Sequence, residues 1–219
     1  MTKKELEDIA KQWNGDGAPC DLTPHQSKLL LGVYRDLAKG EPVSTTALDK
    51  IIEEIGIDND EANDYLKTIT ERDSDGNILG ILGLSLNKHP HEFIVNGNSF
   101  NTWCAIDALF IPPMLNKTAT VKSVSPLSKE KIEIVVSPEK VEKVSSDGVS
   151  VSLVTLNPNE EKRDSVADIW SSYCHNIFFF SSKEEAEEWA EGKENIEIIS
   201  VYEAYELGKK AYSKVLEYA

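Results

Sequence analysis

The chain has 219 residues, a formal net charge of -15 and three cysteines. That length supports one large domain or two small ones with a real core, and the acidic excess would repel a phosphate backbone, so nucleic acid is excluded as a natural partner. Three cysteines do not make a disulfide framework, nothing resembling a signal peptide follows Met1, and the densest apolar run, 177–180, is far too short to span a bilayer. The expectation is a reduced, cytoplasmic protein without membrane contact.

Leu6, Ile9, Ala10 and Trp13 recur at helical spacing before Gly15, Gly17 and Pro19 break the pattern. Pro24 opens a second helix with Leu29, Leu30, Val33, Leu37 and Ala38 on its apolar side, stopped by Gly40 and Pro42. Ser44 or Thr45 caps a third, which buries Leu48, Ile51, Ile52 and Ile55 and ends at Gly56. A fourth starts at Asp58, with Glu61 at capping-box spacing and Ala62, Tyr65, Leu66 and Ile69 inward.

The period then becomes strand-like around Asp75-Gly76, which suits a type I′ hairpin turn. Helices followed by a hairpin read as a winged-helix-like module over residues 1–88. Its recognition helix would carry Asp60, Glu61 and Asp64 against a lone Lys67, so a packing role is favoured over DNA binding. The Asp73–Asn77 stretch has its glycine misplaced for a calcium loop and lacks the closing glutamate.

In residues 89–219 the spacing predicts a helix over 103–110 ended by Pro112-Pro113, then strands over 119–124, 131–136 and 149–156. A turn leading into a buried strand is expected over 169–180. A Glu-rich helix with Ala186, Trp189 and Ala190 inward, a strand over 196–199 and a closing helix follow. The fold class is α+β: the helical module, then a mixed, mainly antiparallel sheet domain with flanking helices.

Two cysteines stand in distinctive settings, Trp103-Cys104-Ala105-Ile106-Asp107 and Tyr173-Cys174-His175-Asn176 ahead of three phenylalanines. Either alone would be a buried core thiol acting as a small hydrophobe. Together, with Asp107 three residues from Cys104, they form a soft-metal site carrying its own proton carrier, since thiolates select soft cations and a protonated thiol must lose its proton to bind one. Cys20, in a Gly/Pro/Asp loop, reads as an ordinary free thiol, and His89, His91 and His175 as loop or near-site structure.

From about Leu29 onward the chain resembles the organomercurial (alkylmercury) lyases. Besides the two cysteine segments, the resemblance rests on residues 37–44 (LAKGEPVS), Asp75-Gly76-Asn77-Ile78, Gly83-Leu84-Ser85-Leu86, residues 149–154 (VSVSLV) and Ser200-Val201-Tyr202-Glu203-Ala204. It implies that Cys104 and Cys174 are the mercury-binding cysteines and Asp107 the catalytic aspartate. One departure is Ser125, which stands where the family often has a further, structural cysteine.

The activity implied is protonolysis. One cysteine takes the mercury of an organomercurial while its proton passes to Asp107, the second thiolate joins, and the carbon leaves with the proton from Asp107. Hg2+ then stays on Cys104 and Cys174 until cellular thiols or a mercuric reductase remove it, with no dissociable cofactor. The alternative is a thiophilic-metal binding protein or chaperone on the same scaffold, which needs no proton donor.

Overall fold

The computed structural model describes residues 3–14, 20–155 and 165–219. The break expected over 15–19 and the last residue of the 149–156 strand lie outside them. Helix α1 (Lys3–Asn14) docks on helix α8 (Val201–Ala211), where Asn14 Nδ2 donates to the Lys210 carbonyl at 3.0 Å. Helix α2 (Pro24–Leu37) is capped by Thr23, whose hydroxyl accepts from Gln26 N while the Gln26 side chain accepts from Thr23 N. Helices α3 (Thr45–Ile55) and α4 (Asn59–Ile69) start at Ser44 and Asp58 as their spacing predicts, and Gly56 ends α3 in the left-handed conformation.

Strands β1 (Thr70–Arg72), β2 (Ile78–Ile81), β3 (Leu84–Ser85), β4 (His91–Val95), β5 (Asn98–Thr102), β6 (Ala119–Val124), β7 (Lys131–Val136) and β8 (Val141–Val144) form one antiparallel sheet in the order β1-β2-β3-β5-β4-β6-β7-β8. The sheet runs without interruption across residue 88. A second sheet orders β10 (Phe179–Phe180), β9 (Ser150–Val154) and β11 (Ile196–Ser200). The fold is thus α+β, with helix α5 (Ala105–Leu115) packed against β3, β4 and β5 on one side and α2, α8 and α9 (Ser213–Leu216) on the other. Every residue of α5 is buried, so the segment that follows Cys104 is core throughout.

Several expectations are corrected. Asp75-Gly76 is not a type I′ turn, because only Gly76 has positive φ (84°); Asp73 instead gathers the loop by accepting from the backbone of Asp75 and Asn77. Positive φ at both central residues, the type I′ signature, occurs at Leu82-Gly83 and Asn96-Gly97, which join β2 to β3 and β4 to β5. The β4–β5 hairpin and β8 are additional to the strands read from the sequence. Helix α5 begins after Cys104 and runs through Pro112-Pro113 to Leu115, ending at Asn116 in the left-handed conformation. Its tertiary packing outweighs the hydrogen bonds the two prolines cannot donate.

The 169–180 stretch also differs. It opens with helix α6 (Val166–Ser172), passes through a single 3-10 turn (Cys174–Asn176) and becomes strand only at Phe179. Polar Ser171 and Ser172 with Asn176 interrupt the apolar alternation that a strand through Cys174 would need. Helix α7 (Lys183–Ala190) then crosses with Ala186 buried. No helix among the described residues is long and apolar enough to cross a membrane.

Candidate active site

Cys104 is the N-cap of α5 rather than a residue inside it, with extended φ/ψ of -144° and 174°. Its backbone N–H donates to Asp107 Oδ2 at 2.8 Å, and Thr102 Oγ1 donates to its carbonyl at 3.0 Å. The three-residue spacing therefore works as helix capping, with the carboxylate returning to the cap, and not as two side chains on one helical face. Burial of the first turn forces this: an orphan N–H there must find an acceptor, and Asp107 supplies it.

Cys174 reaches the same place from the other sheet. Ser152 on β9 fixes its turn twice, donating Oγ–H to the Asn176 carbonyl at 2.7 Å and accepting from Phe178 N at 2.9 Å. Ala105 N donates to the Ile177 carbonyl at 3.2 Å, which ties that turn to the start of α5. Sulfur atoms of Cys104 and Cys174 and a carboxylate oxygen of Asp107 consequently lie within 4.8 Å of one another, all three residues buried. The three residues singled out from the sequence meet in one cluster.

Gly83 closes the acid side. A methyl group there would stand 2.5 Å from Asp107 Cγ, and φ is 97°, so both the approach of the backbone and its conformation demand glycine. The cluster opens on a cavity of about 300 Å³ whose walls are mostly apolar and aromatic, including Trp103, Phe110, Tyr65 and Tyr212. Cys20, read from sequence as a loop thiol, is buried and lines the same cavity. Nothing in its Gly/Pro/Asp surroundings signals that position; it follows from the docking of the N-terminal segment.

Electrostatics suit proton transfer. Burial pushes the Asp107 carboxyl up to about 6, although the hydrogen bonds from Cys104 and the nearby His89 pull it the other way. Burial raises the Cys104 thiol well above its ordinary value, reinforced by Cys174 and by the Asp107 charge. The contact with Cys104 pulls the Cys174 thiol down, but burial and the Asp107 charge outweigh it and leave that thiol raised. Two protonated thiols beside a largely ionised carboxylate at neutral pH form a site in which a metal that displaces a thiol proton finds the acceptor already in place.

His91 is buried and far from free: Nδ1 meets Ser123 Oγ at 2.7 Å and the ring packs edge-on to Phe179. His175 stacks near Trp170, at 5.1 Å between ring centroids. Neither histidine joins the cluster, in line with their reading as structure. His89 is bound to Glu71 at 2.9 Å.

A buried pair of thiols with a carboxylate on one helix cap is a cluster that could hold a metal ion, and soft donors of this kind suit a thiophilic one. The family model described as alkylmercury lyase (MerB) matches residues 84–213, which takes in both cysteine segments. An alkylmercury lyase of Pseudomonas putida is 36% identical over 191 residues, covering 86% of this chain and 85% of that protein. One of Staphylococcus epidermidis is 31% identical across 79% of this chain and 76% of the other. The fold is shared with the crystal structure of the mercury-bound form of MerB2, at a TM-score of 0.74 and 23% identity over 98% of this chain and 100% of that one. The chain belongs to the alkylmercury lyase family.

Proposed function

We propose that this protein cleaves the carbon–mercury bond of organomercurials by protonolysis, giving a hydrocarbon and Hg2+ held by thiolates, the chemistry of mercury detoxification. Family membership supports the reaction, and the observation that carries it to particular residues is the buried cluster of Cys104, Cys174 and Asp107. In R–Hg–X, one thiol displaces X while its proton passes to Asp107. The second thiol joins the metal and its proton leaves with X. Two sulfur donors make the carbon carbanion-like; it takes the proton from Asp107, and the products are R–H, Cys104–S–Hg–S–Cys174 and HX.

The apolar cavity excludes water from the developing carbanion, so that the proton comes from the carboxyl group placed for it. A metal binder needs no group that returns a proton to carbon, whereas Asp107, raised by burial, can both take a proton and give it back. The elevated Asp107 thus favours the lyase over the chaperone reading. Mercury is substrate and product here, no dissociable cofactor is required, and release of Hg2+ falls to cytoplasmic thiols or a mercuric reductase.

The winged-helix-like module of residues 1–88 serves this reading by packing on residues 89–219, which carry Cys104, Asp107 and Cys174; one sheet joins the two across residue 88, and Gly83 backs Asp107. In support, α2 lies against α5, and α4, with Asp60 and Glu61 in its first turn, is poorly suited to DNA. The test is incubation with phenylmercury acetate and excess thiol: benzene accumulating beyond one equivalent per protein supports the lyase, and phenylmercury retained without benzene rejects it.

A further inference from the structure

Resting on the lyase reading, we propose that Glu71 is a positioning residue for the reaction, holding the Trp103 indole and through it the turn that presents Cys104 to Asp107. Glu71 sits on β1, outside the cluster, and its carboxylate is saturated. Oε1 accepts from Trp103 Nε1 and faces His89 Nε2 at 2.9 Å; Oε2 accepts from Ser85 Oγ at 2.7 Å and Asn87 Nδ2 at 2.6 Å. Four polar groups, three from residues 85–89 and one from Trp103, converge on one side chain that is only 13% exposed.

The sheet explains how the carboxylate reaches them. Glu71 pairs with Gly80 on β2, and Gly80 pairs with Ser85 on β3, so the three lie in a row across the strands. A methyl group at Gly80 would stand 2.9 Å from Ser85 Oγ. The missing side chain is the gap through which Glu71 crosses to β3. Burial works against ionisation of Glu71, but the hydrogen bonds from His89, Ser85 and Asn87 hold its carboxyl below the usual range, so it meets Trp103 as an anion.

Trp103 is tethered at both ends. Its backbone N donates to the Gly83 carbonyl at 3.0 Å, beside Asp107, and its indole N–H donates to Glu71. Cys104 follows directly, and its N–H is the group that Asp107 accepts. Release of the indole frees the rotation of the 103–104 peptide on which the separation of thiol and carboxylate depends. Misplacement of a reacting group by about 1 Å can cost on the order of 10²-fold in rate.

Glu71→Gln keeps the shape but presents an amide N–H2 to two of the donors. With phenylmercury, the variant is expected to lose about 10- to 100-fold in kcat with KM little changed, and the Trp103 indole 1H–15N resonance, assigned by its loss in Trp103→Phe, should move. Trp103→Phe, which removes the N–H donor together with part of the buried ring, should lose at least as much kcat, and the double variant should be no worse than the worse single. Wild-type protein that releases benzene while Glu71→Gln keeps kcat within threefold overturns the positioning role and leaves the lyase standing; wild type without benzene rejects the lyase itself. A kcat loss with the indole resonance unmoved, or losses that multiply in the double variant, also overturns the proposal. Should Glu71→Gln fail to fold, Trp103→Phe decides: wild-type kcat there contradicts any role for the indole tether.

Discussion

Asp107 Oδ2 accepts the backbone N–H of Cys104 at 2.8 Å, so the acid and the thiol are fixed to each other by the first turn of one helix. The carboxylate that would carry the proton is also the cap of α5, and its charge is held in place by the same bond that sets its distance from sulfur. Cys174 arrives independently, on a turn pinned by Ser152.

Cys104→Ala and Cys174→Ala are each expected to abolish hydrocarbon release with the fold intact. One thiolate leaves mercury too poor in electron density to activate carbon. Headspace benzene with phenylmercury, alongside circular dichroism, checks this; substantial turnover by either variant removes that cysteine from the mechanism.

Asp107→Asn should reduce turnover by roughly 10²- to 10⁴-fold, the usual worth of general acid–base catalysis, and should raise stability at pH 7. A rise of the folded carboxyl from 3.8 to about 6 means that the folded state holds its proton to higher pH than the unfolded chain. The resulting advantage is complete below about pH 4 and lost as pH climbs through 6, a swing of about 3 kcal/mol. Above that pH the wild type carries a buried charge that Asn does not. Urea denaturation of both proteins at pH 7 tests the sign: an Asn variant of lower stability contradicts the burial cost.

The rate of wild type should itself depend on that group. Asp107 must be ionised to accept the first thiol proton, so kcat/KM is expected to fall tenfold per unit of pH below about 6. The Asp107→Asn profile should lack this limb. A wild-type profile flat from pH 5 to 7 assigns the proton to another carrier.

His91 titrates in the opposite sense for stability. Burial holds its ring neutral, with a value near 3, despite a backbone contact at Ile177 that favours the charged form. An unfolded histidine takes its proton near 6.5, so stability should be lost progressively as pH falls from about 6.5 toward 3. His91→Gln should flatten that acid limb in melting experiments; an unchanged limb assigns acid sensitivity elsewhere.

Ser125, at the position where the family often has a cysteine, is a hydrogen-bonded side chain. It is fully buried, and its hydroxyl donates to Glu185, whose carboxyl also accepts from Ser128 N at 2.6 Å and Ser181 Oγ at 2.7 Å. Ser125→Cys should therefore destabilise the protein. Losing a hydrogen bond to a carboxylate should cost about 1.5–3 kcal/mol, with kcat unchanged. A variant that melts higher than wild type would contradict this.

The sequence made some of this legible and hid the rest for physical reasons. The early helices carry their own start and stop signals, Ser44, Asp58 and Gly56, so α3 and α4 fall where local chemistry puts them. Strands β6 and β7 alternate cleanly and match their expected bounds. Helix α5 misleads because local rules forbid Pro112-Pro113 in a helix interior, while the core that surrounds it on every side retains it. The Asn96-Gly97 turn was a readable signal for the β4–β5 hairpin. Cys104, Asp107 and Cys174 could be named from their residue types and their family pattern. Gly83, Ser152 and Glu71 could not, since each acts through a contact made across strands or between sheets, which no spacing along the chain encodes.

The most direct test is a single turnover of phenylmercury in D2O with mass analysis of the benzene. Wild type should release benzene carrying one deuterium, with Hg2+ left on a form of the protein in which Cys104 and Cys174 resist alkylation, and Asp107→Asn should bind phenylmercury yet release almost none. Benzene formed by Asp107→Asn at the wild-type rate, or a wild type whose bound mercury leaves Cys104 and Cys174 open to alkylation, would contradict the dithiol and carboxylate mechanism.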